Sequence, residues 1–274
     1  MTAATTTISP GRGRLTEFLA RVWLVPIALV AWEAGTRMAA SDYFPPPSSI
    51  LVRARELWFS GPATRLFLTD EALGDFLPSL GRMFGGWAAA CVLGIGLGVA
   101  IGRSRILAGY VDPLVEFGRA IPPPALVPVF IVLFKLGAEM QVATIVYGVI
   151  WPVLVNAIDG ARYVDRLHVE TAHVFRLGRA QRLLRVLLPA AAPKIFAGLR
   201  LSVSLAVILM VLSELVGSTD GIGHQLLYTQ QNFDLAGTWS VIVLLGVLGL
   251  ALNGAFLAVE RRVLSWHLRA RQTT

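Results

Sequence analysis

Phe84-Gly-Gly-Trp-Ala-Ala-Ala-Cys-Val-Leu-Gly-Ile-Gly-Leu-Gly-Val-Ala-Ile101 holds no charged side chain, and Gly102-Arg103-Ser104-Arg105 follows it directly. A bilayer's hydrocarbon core takes about 20 mostly apolar residues to cross, so a run this long, closed by two arginines, is expected to span a membrane. Within it Gly86, Ala90, Gly94, Gly98 and Gly102 recur at every fourth position and form one smooth stripe along a helix. Lipid is as apolar as leucine, so helices in membranes associate through close contact of small residues. The stripe is therefore expected to pack against another helix. It does not cradle a nucleotide, because Gly94-Ile-Gly96-Leu-Gly98 lacks the third glycine of a dinucleotide fingerprint.

Five more runs of the same character surround it, at 22–40, 113–134, 142–158, 195–217 and 239–259. Across the chain 55% of residues are hydrophobic and 15% charged, against about 25% charged in ordinary soluble domains. The net charge of +7 lies in short blocks between the apolar runs, which excludes a nucleic-acid surface and fits loops that orient a membrane protein. Arg12, Arg14 and Arg21 precede the first run, and Arg103 and Arg105 follow the second. Arg162, Arg166, Arg176, Arg179, Arg182, Arg185 and Lys194 fill 159–194, and Arg261, Arg262, Arg269 and Arg271 follow the last run. The alternate segments are poorer in base: 218–237 has none, and 41–83 offsets Arg53, Arg55, Arg65 and Arg82 with Asp42, Glu56, Asp70, Glu71 and Asp75. That alternation predicts an all-α integral membrane protein with six transmembrane helices, in contact with the lipid bilayer, both termini on the cytoplasmic side. A tail at 1–21, a membrane domain at 22–260 and a second tail at 261–274 follow. The first run has a rival reading as a secretory signal, with Ala39-Ala40-Ser41 as its cleavage region, but Glu33 and Arg37 interrupt the uncharged stretch a signal needs.

The long outer segment after the first run opens on Tyr43-Phe44-Pro45-Pro46-Pro47, a stiff extended entry. Ser48 and Ser49 are expected to cap a short helix to about Phe59, with Ile50, Leu51, Ala54 and Leu57 on one face. Two later runs carry prolines. Pro122-Pro123-Pro124 falls inside 113–134, and Trp151-Pro152 inside 142–158. Proline removes an amide and clashes with the preceding turn, and a broken helix is tolerated at membrane depth only where protein or a water-filled cavity satisfies it. These positions are expected to border a central pathway. A half-helix from Pro122–Pro124 to about Phe134 would present unpaired amides and a partial positive charge to an anion, with Arg119 one turn away. The plainer alternative pairs Arg119 with Glu116 or Asp112 and leaves the prolines only to bend the chain.

The chain lacks the means for several chemistries. Its lysines, Lys135 and Lys194, follow no glycine, so it has no phosphate-gripping Walker loop, and any ATP and magnesium would sit on another chain. No cofactor or metal is expected here, since one cysteine, Cys91, cannot form a disulfide within the chain and His168, Glu170 and His173 match no common metal spacing. No catalytic residue is expected either. An intramembrane serine protease would need serine and histidine on separate crossings, whereas Ser218 and His224 share one loop. Glu33 and Glu214 leave a proton-coupled carrier or channel as the alternative from another class.

The cytoplasmic segment 159–194 reads Glu170-Thr171-Ala172-His173-Val174-Phe175-Arg176-Leu177-Gly178, then runs to Leu188-Pro189. Ala172, Phe175, Leu183, Val186 and Leu187 recur at helical spacing, and a basic residue follows every third position from Arg176 to Arg185. Two short helices joined near Gly178 would form an apolar and basic knob for a cytoplasmic partner. This segment resembles the signature of bacterial ABC importer permeases of the nitrate, sulfonate and taurine type. In that signature Glu-Ala-Ala is followed after three residues by Gly, and nine residues later by Ile-x-Leu-Pro. The spacing from Glu170 to Pro189 is intact, Thr171 and Val186 are mild changes, and Arg176 stands where the family has glycine. A side chain there would be strained at a positive backbone angle, so the turn is expected to pass to Gly178. Tyr43 to Ser48, Arg119-Ala-Ile-Pro-Pro123, Ala197-Gly-Leu-Arg200, Glu214-Leu-Val-Gly217 and Gly221-Ile-Gly223 extend the resemblance over nearly the whole chain.

The resemblance implies a type I ABC importer permease fold in the bacterial cytoplasmic membrane. It implies a second permease subunit, commonly a second copy, two cytoplasmic ATPases that hold ATP and magnesium, and an extracytoplasmic substrate-binding protein. Glu170, Thr171, Ala172, Phe175, Arg176, Leu177, Gly178 and Pro189 would couple to the ATPase. Arg119, Pro122, Pro123, Pro124, Ser213 and Glu214 would line the translocation pathway. Related permeases carry nitrate, bicarbonate, taurine, sulfonates or vitamin precursors, and a small anion is the expected substrate.

Overall fold

The computed structural model describes residues 23–39 and 43–266, and all its regular structure is helical. In chain order the helices are α1 (Leu24–Ala39), α2 (Pro47–Trp58), α3 (Asp70–Arg103), α4 (Arg105–Ala120), α5 (Val127–Phe134) and α6 (Ala138–Arg162), then α7 (Arg166–Val174), α8 (Arg179–Glu214), α9 (Ile222–Gln231) and α10 (Leu235–Val263). Among the described residues α3, α6, α8 and α10 are long and apolar enough to cross a membrane, and α4 with α5 adds a fifth crossing if that bent pair counts as one. The sixth run read from the sequence, at 22–40, is described only as the 16 residues of α1 and is not among these crossings. The expected tail at 1–21, most of the tail at 261–274 and the Ala40-Ser41 end of the signal-like segment lie outside the described residues.

The ends of these helices follow from their sequences. Thr69 caps α3 by accepting from the Ala72 amide at 3.0 Å, while its own hydroxyl donates to the Leu57 carbonyl and ties α2 to α3. Asp70 and Glu71 in the first turn and Arg103 in the last complement the helix dipole. Capping and charge thus carry α3 well beyond the uncharged run 84–101. Ser104 alone separates α3 from α4 and caps the latter, its hydroxyl accepting from the Leu107 amide. At α2 the cap is Pro46, with Pro47 as first helical residue. Proline at that place has no amide to waste and the right φ, so Ser48 and Ser49 are not the caps expected of them. Ser48 donates instead to Glu33, and Leu51 faces outward at 67% exposure while Ile50, Leu57 and Trp58 are buried.

The core is a layer of α3, α6 and α8 with α6 in the middle. Gly86 meets the Ile145 side chain, Gly94 meets Val153, Gly98 meets Ala157 and Gly102 meets the Ile158 carbonyl. Ala90 is fully buried in the same seam. The approach is closest toward the C-terminal end of α3, where a Cβ on Gly98 would lie 2.5 Å from that of Ala157, and one on Gly102 2.4 Å from the Ile158 oxygen. On the other side of α6, Gly198 of α8 fits against the Pro152 carbonyl and Asn156, and Gly160 against Ala191. Pro152 does not break α6, which runs unbroken through it; the Asn156 amide donates to the Pro152 carbonyl.

The proline run does break the chain. After α4 the backbone is extended at Ile121 and Pro122, forms a 3-10 turn over Pro123–Leu126 and resumes as α5, the two helical pieces meeting at 86°. A residue before proline is pushed out of the helical region, which accounts for the extended backbone at Ile121 and Pro122.

Candidate functional site

Three regions carry the side chains singled out in the sequence. The first is the turn between α7 and α8. Asp165 starts α7 by accepting from the Leu167 amide. At its end the Leu177 amide donates to the Ala172 carbonyl and the Arg176 amide to the His173 carbonyl. This pair of bonds is a Schellman closure, which needs a left-handed residue at the penultimate position. Arg176 supplies it with φ 50°, and Gly178 has φ −63°, so the turn does not pass to Gly178. Ala172 is buried against α8 at 3% exposure; Val174 and Phe175 stand out at 79% and 73%, with Leu167 on the same helix at 66%. Phe175 therefore does not join the inward row of Ala172, Val186 and Leu187. Glu170, Thr171, Arg176 and Gly178 are exposed, and Pro189 lies within α8. Instead of two short helices, one short helix is joined to the long α8, whose first turns include a π-type stretch over Leu183–Leu187.

The second region is a cavity of about 160 Å³ between α4 and α6, lined by Asp112, Val115, Glu116, Arg119, Val155, Ile158, Asp159 and Arg162. Asp112 is engaged by Arg162 at 3.0 Å. Arg119 thus sits among three carboxylates near the C-terminal part of α6, and these outweigh Arg162, the other base in the lining. The break beyond it offers little to an anion. Pro122, Pro123, Pro124 and Pro128 have no amide, the Ala125 amide donates to the Pro122 carbonyl, and the Val127 amide donates to that of Pro124. The expected cradle of unpaired amides is absent because proline occupies the positions that would provide it. Pro123 packs instead against Gly148 of α6, and the Tyr147 hydroxyl donates to the Gly118 carbonyl at 2.6 Å.

The third region lies at the C-terminal end of α8. Glu214 is 1% exposed and accepts three hydrogen bonds: from Ser79 Oγ at 2.7 Å, from Arg82 Nη2 at 2.7 Å and from the Gly223 amide at 2.8 Å. Arg82 also reaches Asp220 at 2.7 Å. The Ile222 amide donates to Ser79 and the Gly221 amide to Asp75. Segment 215–223 is thereby clasped onto α3. A buried carboxylate is expensive unless paired and hydrogen-bonded, and Glu214 is both. Ser213, fully buried, donates to the Met210 carbonyl. Glu214 and Ser213 face the interior of this chain. Ser79, Arg82, Asp75 and Asp220 were not anticipated from the sequence, where 132 residues separate Arg82 from Glu214. Arg82 itself was a usable signal, as the one basic residue in α3 before Arg103. Glu33, the other acid behind a carrier reading, is engaged by Arg37 and Ser48.

The family model described as binding-protein-dependent transport system inner membrane component matches residues 92–265. Among curated proteins, the chain is 29% identical over 259 residues to a putative aliphatic sulfonates transport permease protein of Bacillus subtilis, covering 94% of this chain and 90% of that one. It is 30% identical over 249 residues to a bicarbonate transport system permease protein of Synechococcus elongatus (88% and 89% covered). It is 28% identical over 245 residues to the taurine transport system permease protein of Escherichia coli (89% and 88% covered). Among solved structures, an inward-facing methionine ABC transporter superposes with a TM-score of 0.58 at 19% identity, covering 68% of this chain and 93% of that one.

Proposed function

The chain belongs to the family of binding-protein-dependent transport system inner membrane components, and we propose that it forms the translocation pathway of an ATP-driven importer for a small anion. It is a multi-pass permease, not an enzyme, and works with an ATPase and a substrate-binding protein. Two copies of the chain would build the pathway, with both termini in the cytoplasm and ATP and magnesium held wholly by the two ATPase subunits. The anion rests on the relatives named for sulfonates and bicarbonate; taurine, named for a third, is a zwitterion that carries a sulfonate group. With Arg119 among acids and the helix break capped by proline, selection of the anion would fall to the external binding protein, and Arg119 would balance the carboxylates beside the path.

The observation that carries the coupling role is the inner turn, where Val174 and Phe175 project beside exposed Glu170, Arg176 and Arg179. A protruding apolar pair, backed by a helix end whose carbonyls are already satisfied, is suited to a groove on the ATPase. Movement of that groove would drive α8 and exchange which side of the pathway is open. Reconstitution with the ATPases and the binding protein tests this. Glu170→Arg or Phe175→Asp is expected to abolish substrate-stimulated ATP hydrolysis and uptake while the chain still inserts normally. Wild-type stimulation in both variants would exclude the turn as the coupling element.

A further inference from the structure

Beneath the coupling turn, on the side away from Val174 and Phe175, lies a pocket of about 400 Å³ that none of the transport roles uses. It is lined by Arg103 from the end of α3, Val169 and Ala172 from α7, and Arg179, Arg182, Leu183, Val186 and Leu187 from the start of α8. Three guanidinium groups converge with no carboxylate in the lining. The side chains of Arg103 and Arg179 have no hydrogen bond or ion pair among the described residues. Arg182 touches His173 through Nη1, while its Nε is buried without a partner. Leaving a buried donor unmade is costly, and gathering like charges adds to that cost. An anion held between the arginines would offset both.

We propose that this pocket binds the phosphate of an anionic lipid headgroup from the inner leaflet. Two observations select lipid over soluble phosphate. The floor between the arginines is aliphatic, made by Val169, Ala172, Leu183, Val186 and Leu187, which suits the glycerol and first methylenes of a lipid and gives nothing to a hydrated ion. The depth also agrees. Arg103 stands two residues beyond the uncharged run that ends at Ile101, and Leu187 is buried where α8 enters its apolar stretch. Basic pockets between helices on the cytoplasmic side are where such headgroups are held. Arginine grips phosphate with two parallel donors, and the Arg103 and Arg179 guanidinium groups in the lining have theirs unengaged. A lipid seated here would touch α7, α8 and α3 together and brace the coupling turn from behind.

Native mass spectrometry of the full-length chain, released from vesicles of phosphatidylcholine mixed with phosphatidylglycerol of the same acyl chains, tests the site. The wild type is expected to retain phosphatidylglycerol selectively. Arg103→Gln and Arg179→Gln should each lower retention about fivefold, the effect of one basic side chain near an anionic surface. Arg103→Lys and Arg179→Lys, which keep the charge but lose the fork, should fall between, and they decide the matter if the glutamine variants fail to fold. Arg261→Gln with Arg262→Gln, at the end of α10, is the control for diffuse attraction. Equal loss in that control, or unchanged retention in the pocket variants, would overturn the proposal. Displacement of the lipid by inorganic phosphate at low millimolar concentration would assign the pocket to a soluble ion and overturn it as well.

Discussion

Arg176 closes α7 at φ 50°, a conformation that costs a residue with a Cβ about 1–2 kcal/mol. The two bonds of the closure hold it there, since any other angle would leave the Ala172 and His173 carbonyls unmatched at the helix end. Spacing alone favoured Gly178 for the turn because glycine is the residue free to make it. Register decided otherwise: the closure falls two residues after Val174, and Gly178 is then needed as the extended residue that starts α8. Arg176→Gly should relieve the strain at some cost in unfolded-state entropy, a net local gain of about 0.5–1 kcal/mol. Hydrogen exchange at the amides of Arg176 and Leu177 should slow by a few-fold. Faster exchange there would mean that the arginine side chain, through a contact to another group, is what holds the turn.

At the scale of the helix pair, α3 and α6 touch through glycine and alanine, so backbone meets backbone along their shared seam. Gly98→Leu would place its side chain into Ala157 and the Leu154 carbonyl, neither of which is a flexible tip that can move aside. Overpacking of this kind costs about 1–3 kcal/mol, and thermal unfolding in detergent should fall accordingly. Gly96→Leu is the internal control, because nothing lies within 4 Å of a Cβ there; an equal loss in both would place the cost in helix geometry and acquit the seam. The stripe at 86–102 was legible because a period of four in a charge-free run has one physical use in lipid. The proline break was legible for a similar reason, since nothing else tolerates Pro122-Pro123-Pro124 within a crossing. Its 86° bend and its lack of free amides were not, because they depend on which backbone groups pair. The outer clasp was hidden too. Arg82, Ser79 and Glu214 meet only once α3 and α8 are both packed on α6, and no local pattern records that meeting.

Across the whole molecule, α8 joins the inner turn to that outer clasp. It runs from Arg179 to Glu214, about 54 Å at 1.5 Å per residue, and its first residue follows Gly178 while its last carries the buried carboxylate. The π-type stretch at Leu183–Leu187 lies near the inner end; beyond it the helix is continuous, so a displacement there reaches Glu214 with little to absorb it. The clasp holds 215–223 against α3 through Arg82, Ser79 and Asp75, and an opening that moved 215–223 off α3 would loosen these bonds. If ATPase closure and outer opening are two faces of one equilibrium, the clasp opposes both, and weakening it favours both. A shift of about 1.4 kcal/mol multiplies the minor state tenfold. Arg82→Gln removes the charge from a pair that is at most 10% exposed, a change worth several kcal/mol to the clasped state. In reconstituted transporter it should raise ATP hydrolysis without binding protein by about tenfold or more, and shrink the further stimulation the binding protein gives. Exchange of the amides at 221–223 should quicken in parallel, since their acceptors would no longer be fixed. Quickened exchange with unchanged basal hydrolysis would show that the clasp is purely structural and that α8 does not carry the inner movement to the outer face.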